Sequence, residues 1–210
     1  MNSIKHVPFT ITSAFLIVLT GFCTNATLAA DLAKLTAPCE DCHGKDGTST
    51  EPMIPTIGGY SATYITDTFA AYKDKTRPCD DVKFPAGAHK GETGNMCKAA
   101  EKLSDEDIEL IAMYYADKPF VRASQEFDAS LAATGKSIHA LDCKKCHEDG
   151  GSSPDDDAGI LAGQWIPYLK EQFEEYKAGK RAMTEKMQPK MEKLSEDDIN
   201  ALLNYYGSFK

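Results

Sequence analysis

This chain is short of basic charge, of strand-like patterning and of long apolar runs. Its 210 residues hold 23 Lys and Arg against 32 Asp and Glu, a formal net charge of −9. That balance argues against nucleic acid or an anionic membrane surface as partner, since both attract cations. No stretch of note alternates apolar and polar side chains in the way a half-buried strand requires. A βαβ unit is therefore absent, and with it the setting of a thioredoxin-like redox pair. The one sustained apolar run, Ile11 to Phe22, is too short and too broken by Thr and Gly for a good membrane span, which takes about 20 residues.

That run belongs to a leader. Lys5 and His6 precede it, and small residues close it at Ala26-Thr27-Leu28-Ala29-Ala30. The layout is that of a secretory signal peptide cleaved after Ala29 or Ala30, which predicts a periplasmic protein. An uncleaved anchor is the alternative. Lipidation at Cys23 is weaker, because bulky Phe22 stands before it. Without Lys5 the mature chain sets 22 basic residues against 32 acidic ones, a net −10. Its length suffices for two small domains.

What is present is one motif, twice. Cys39-Glu40-Asp41-Cys42-His43 and Cys143-Lys144-Lys145-Cys146-His147 both read CxxCH, the attachment signature of c-type haem. On a helix, positions i, i+3 and i+4 share a face. Cys39 and Cys42, like Cys143 and Cys146, can thus reach the two vinyl groups of one porphyrin while His43 or His147 presents a ring nitrogen to the iron. A redox dithiol or half of a zinc site are the alternatives for a single copy. A zinc ion shared by both motifs would have four Cys and two His to choose from, too many for one tetrahedral site. Two covalently bound haem c groups in a small chain point to electron transfer.

The motif is part of a longer duplication. At a shift of 104, Ile57 falls on Leu161, Gly59 on Gly163, Tyr64 on Tyr168, Phe69 on Phe173 and Tyr72 on Tyr176. The shift then becomes 91, so that Leu103–Ile108 falls on Leu194–Ile199 and Tyr114-Tyr115 on Tyr205-Tyr206. The first copy carries 13 extra residues between these blocks, and Cys79 lies among them. Each copy reads as helical: a helix with CxxCH, a Gly-rich loop, a helix starting near Tyr60 or Trp165, and a last helix opened by Ser104/Asp107 or Ser195/Asp198 as a capping box. The predicted division is 1–30 leader, 31–118 first domain and 119–210 second, with Pro119 stopping a helix at the boundary.

An electron-transfer haem needs a second axial ligand, and Met thioether stabilises ferrous iron. Met96 and Met187 each lie seven residues before the matched Leu103 and Leu194. Met183 and Met191 flank Met187 at helical spacing and remain alternatives. Met53 has no Met counterpart, and Met113 reads as core filler. His89 and His139 lack repeat partners and read as surface or core residues. Export to an oxidising compartment makes a Cys79–Cys97 disulfide the expected pairing, with free thiols or an extra metal site as alternatives. Around Met187, Lys177, Lys180, Arg181, Lys186, Lys190 and Lys193 cluster, interleaved with Glu174, Glu175, Glu185 and Glu192. This is an ordinary solvated face or, more sharply, a docking patch for another redox protein.

These residues resemble class I cytochromes c, and the tandem form resembles periplasmic dihaem cytochromes. In the second half, "LDCKKCHEDGG", "ILAGQWIPYLKEQFEEY" and "KRAMTEKMQPKMEKL" are similar to the dihaem subunit of flavocytochrome c sulfide dehydrogenase. The resemblance implies an all-α fold of two tandem class I domains related by a pseudo-twofold. It implies an FAD-containing, sulfide-oxidising flavoprotein partner and a soluble cytochrome or oxidase as acceptor, the cytochrome subunit itself breaking no bonds. A free dihaem carrier to a terminal oxidase is the alternative; an enzyme with a displaceable haem ligand would have only Cys97 beside Met96 in its favour. The family pattern also places a Pro carbonyl on the proximal His. Pro55 can supply it in the first domain, whereas Gly159 holds the matching place in the second.

Overall fold

The computed structural model describes residues 23–210, with side chains from Asp31 onward. The leader expected over residues 1–30, and the anchor and lipidation alternatives with it, lie outside the described side chains. Among the described residues no helix is long and apolar enough to cross a membrane.

The first copy runs α1 (Cys23–His43), a short 3-10 turn, α2 (Ala62–Lys73), a hairpin of β1 (Val82–Lys83) and β2 (Thr93–Gly94), α3 (Met96–Ala100) and α4 (Asp105–Ala116). The second runs α5 (Ala129–Ile138), a π-turn over His139–Cys143, α6 (Ile166–Lys177), α7 (Gln188–Lys193) and α8 (Glu196–Gly207). Both capping boxes form. Ser104 and Ser195 each accept from the backbone N–H three residues on, and Asp107 and Asp198 accept from the serine N–H in return. Two otherwise orphaned donors are satisfied at each helix start. Three acidic residues in the first turn of each also suit the positive end of the helix dipole.

Each copy has its own core. Ile108, Ile111, Ala112 and Tyr115 of α4 pack with Ile65 and Phe69 of α2. Leu202, Leu203 and Tyr206 of α8 pack with Tyr168, Leu169 and Phe173 of α6. Matching backbone bonds hold the loops: Gly59 N donates to Tyr115 O and Gly163 N to Tyr206 O, both at 2.8 Å. Gly59 and Gly163 sit at φ +82° and +80°, where a side chain is strained. A Cβ on either would also run into the connecting segment, at Phe120 or Arg122.

Two expectations are corrected. The second CxxCH is not on an α-helix: α5 gives way at His139 to a π-turn closed by Lys144 N donating to His139 O at 2.9 Å. His139 is buried there and shares a hydrogen bond with the Tyr206 hydroxyl at 3.0 Å, which draws the turn toward α8. The fold is otherwise helical, and among the described residues the insertion adds one small hairpin pairing Val82 with Gly94 and Lys83 with Thr93. Two-residue strands are too short to show an alternating pattern. Met113 is not core filler, because it is 65% exposed on the outer face of α4 beside Leu110.

Candidate functional site

In the first copy the end of α1 presents the motif. His43 is buried, and its Nδ1 donates to Pro55 O at 2.9 Å. That bond fixes the ring and leaves Nε2 as the free ligand nitrogen. Cys39 lies against α4, where burial pushes its thiol up to about 11 despite the nearby Tyr115 hydroxyl. The second copy repeats the arrangement with Tyr206 beside Cys143, whose thiol burial also raises. Burial lowers the pKa of both His43 and His147, which favours the neutral ring a metal ligand needs. His147 is half-buried, with no ring hydrogen bond among the described residues. The carboxylate of Asp156, rather than Gly159, is the group felt there.

The methionine candidates fall in matching places. Met96 opens α3 and is half-buried against the first core. Met187 precedes α7 and is half-buried against the second, as is Met183. Met191 is buried within that core, 4% exposed. Cys79 and Cys97 are joined by a disulfide with Cα atoms 5.7 Å apart, and all four motif cysteines are free thiols. His89 is exposed and bonded to Glu92 at 3.2 Å.

Sequence reasoning did not foresee the ground between the copies. Gln164 is wholly buried: its amide donates to Thr56 O and to the Tyr60 hydroxyl, both at 2.9 Å, while its carbonyl accepts from Thr56 N at 3.1 Å. In the mirror-related bond the Tyr60 hydroxyl donates to Ile160 O at 3.4 Å. Residues 60 and 164, like 56 and 160, are equivalent under the 104-residue shift, so the copies meet about a local twofold. Two arginines equivalent under the same shift lie nearby. Arg77 stacks on Tyr72 at 4.9 Å and donates to Tyr168 and Gln172 of the other copy. Arg181 stacks on Tyr176 at 4.5 Å and reaches Gln172 and Tyr64. Burial pushes Tyr72 and Tyr176 up to about 12. At Tyr64 burial is outweighed by the two guanidinium charges, which leave it below its ordinary value. The signal that could have found this pair was the Arg77–Arg181 register itself.

Two CxxCH motifs with free thiols, a His43 ring oriented by a carbonyl, and Met96 and Met187 at matching places in the two copies fit haem c in donor type. The arginines fit as well. Neither has a carboxylate within ion-pair distance among the described residues, and Arg77 is electrostatically felt at His43. They are counter-charges of the kind a porphyrin's carboxylates need. The cytochrome c4 of Stutzerimonas stutzeri is 31% identical over 186 residues, 80% of this chain and 83% of that protein. The chain belongs to the cytochrome c4 family. The crystal structure of reduced recombinant cytochrome c4 from Pseudomonas stutzeri superposes with a TM-score of 0.70 at 28% identity, covering 87% of this chain and 98% of that one. The family model described as cytochrome C oxidase, cbb3-type, subunit III matches residues 130–205. A thiosulfate dehydrogenase from Marichromatium purpuratum shares the fold, with a TM-score of 0.66 at 21% identity over 86% of this chain and 40% of that one. As a cytochrome c4 relative, the protein is a mostly helical dihaem class I cytochrome that binds covalent haem c and transfers electrons without catalysing a bond change.

Proposed function

We propose that this cytochrome is an exported carrier that takes electrons from a periplasmic dehydrogenase and delivers them to a soluble cytochrome or a terminal oxidase. Cys39, Cys42, Cys143 and Cys146 would tether the haems, with His43 and His147 as proximal and Met96 and Met187 as distal ligands. When bound, each haem supplies one reversible electron. The protein's part is to hold, orient and screen. Pro55 O fixes the His43 ring, and the two aromatic-lined cores exclude water. The Cys79–Cys97 bridge ties down the loop that presents Met96, and suits an oxidising compartment. With a His and a Met offered to each haem, Met96 and Met187 would take the place a substrate would need.

The observation that carries the reading is the single buried interface in which Gln164, Tyr60 and the two arginines bind the copies together. One rigid unit holding two redox groups suits relay better than two tethered carriers would. A second reading makes the protein the haem subunit of a sulfide-oxidising flavoprotein, supported by the resemblance of residues 122–209. One experiment separates them: purify the haem-loaded mature protein from its native periplasm and record visible spectra before and after adding sulfide. The carrier reading expects a lone two-haem protein, reduced slowly by sulfide and oxidised quickly by oxidase-containing membranes. A flavin-containing partner at one-to-one, with prompt reduction by sulfide, would establish the second reading in its place.

A further inference from the structure

The two attachment motifs differ in what lies over them. The insertion hairpin leaves the Met96 loop and ends on the first motif: Ala86 N donates to Asp41 O at 3.3 Å and His89 N to Asp41 Oδ2 at 3.4 Å. A Cβ on Gly87 would collide with the Asp41 carboxylate. The hairpin is bolted at its base by Cys79–Cys97, next to Met96. A proximal His and a distal Met stand on opposite faces of a haem. A strap fixed beside Met96 and resting on Asp41, next to Cys42, would thus lie over the first site between its two ligand segments. The hairpin's Lys83 and Lys90 are offset by Asp80, Asp81 and Glu92, and the motif beneath reads Glu40-Asp41.

The second motif is bare and of opposite sign. Its middle pair is Lys144-Lys145, and both are exposed. Leu141, two residues before Cys143, is 82% exposed, an unusual place for a large apolar side chain in a wet loop. Lys190 of α7 pairs with Asp142 at 2.7 Å, and Lys193 adds its charge beside the same carboxyl. Asp142 is thereby offset, while Lys144 and Lys145, three and four residues after Leu141, and Lys193 have no ion pair among the described residues. The acidic run from Glu148 to Asp157 is folded on itself after His147, with Glu148 N bonded to Asp156 at 2.6 Å.

Building on the haem assignment above, we infer that redox partners dock at the edge of the second site, on Leu141 ringed by Lys144, Lys145 and Lys193, and that the hairpin closes the first edge to them. The occupant is a redox protein that presents carboxylates around its own cofactor edge. Apolar contact at the centre with complementary charge at the rim is the usual form of such short-lived interfaces.

The test uses the isotope-labelled dihaem protein and hexacyanochromate(III), a redox-inert paramagnetic trianion. Amide signals of residues 140–146 and 190–193 broaden at probe concentrations that leave Asp41 and the hairpin 84–91 sharp. Lys144→Glu with Lys145→Glu weakens the broadening at least tenfold, with the visible spectrum and two-haem content of the parent. Broadening centred on the hairpin or Asp41, or unchanged in the double variant, overturns the inference. A preparation holding fewer than two haems per chain overturns the site assignment beneath it instead.

Discussion

At the scale of single residues, position decides what a methionine does. Met191 is sealed within the second core and fills space, while Met183 and Met187 are half-buried beside it. Only Met187 shares its register with Met96. Met187→Leu therefore removes the sulfur-to-iron absorption band of one haem of two, halving its amplitude in the oxidised protein. Met191→Leu leaves the band intact and changes stability by less than about 1.5 kcal/mol, as volume-conserving swaps do. Halving by Met183→Leu instead would show that the repeat register misleads. Asp46 makes a different kind of prediction. It occupies a left-handed turn at φ +55° just after the first motif, bonded to Lys118 at 3.2 Å and the Tyr114 hydroxyl at 3.1 Å. Those two bonds hold its carboxyl below the ordinary value. A depressed native pKa stabilises the fold above the unfolded value of about 3.9 and loses that contribution as pH falls through the native one. Asp46→Asn, which tolerates the same backbone, melts below the parent at neutral pH, and the gap closes on acidification from about pH 4. A gap that persists at pH 2 would assign the effect to the turn rather than the charge.

At the scale of elements, α5 and α8 approach so closely that Gly135 has no room for a side chain: a Cβ would lie 2.1 Å from Ala201 O. Alanine's better helix propensity, about 1 kcal/mol, cannot offset an overlap with backbone that has nowhere to go. Gly135→Ala costs a net of roughly 1–3 kcal/mol, read as a fall in the denaturation midpoint. Exchange of Asp31, the exposed residue at the equivalent place on α1, for Ala leaves it unchanged. Elements of this kind were legible in part. Ser104, Ser195 and the apolar stripes behind them announce α4 and α8 because capping and periodicity are local. The π-turn at His139 was not legible, since its cause is Tyr206, 67 residues away. Nor was the hairpin, whose strands take their register from a disulfide and from Asp41 rather than from their own side chains.

At the scale of the whole molecule, the duplication could be read from the Tyr64–Tyr168 and Tyr72–Tyr176 matches, but the way the copies face each other could not. No periodicity says that Gln164 will meet Thr56, because the pairing depends on two folded surfaces already existing. That meeting point is where cooperativity between the copies resides. Thr56 is 1% exposed, and both its N–H and its carbonyl have Gln164 as side-chain partner. Gln164→Leu keeps the volume but leaves those two groups and the Tyr60 hydroxyl short of partners, at about 1–3 kcal/mol for each buried group left unsatisfied. The cost falls mainly on the interface, since of the core residues only Tyr60 loses a partner. The parent therefore unfolds in one calorimetric transition, and Gln164→Leu splits it into two. Gln164→Glu presents the same acceptor to Thr56 N but loses both donated bonds, so it gives an intermediate separation. A single transition in Gln164→Leu, merely displaced to lower temperature, would mean that the remaining contacts, those of Arg77 and Arg181 together with the Tyr168 N–Pro52 O and Trp165 Nε1–Ser49 O bonds, suffice to couple the copies.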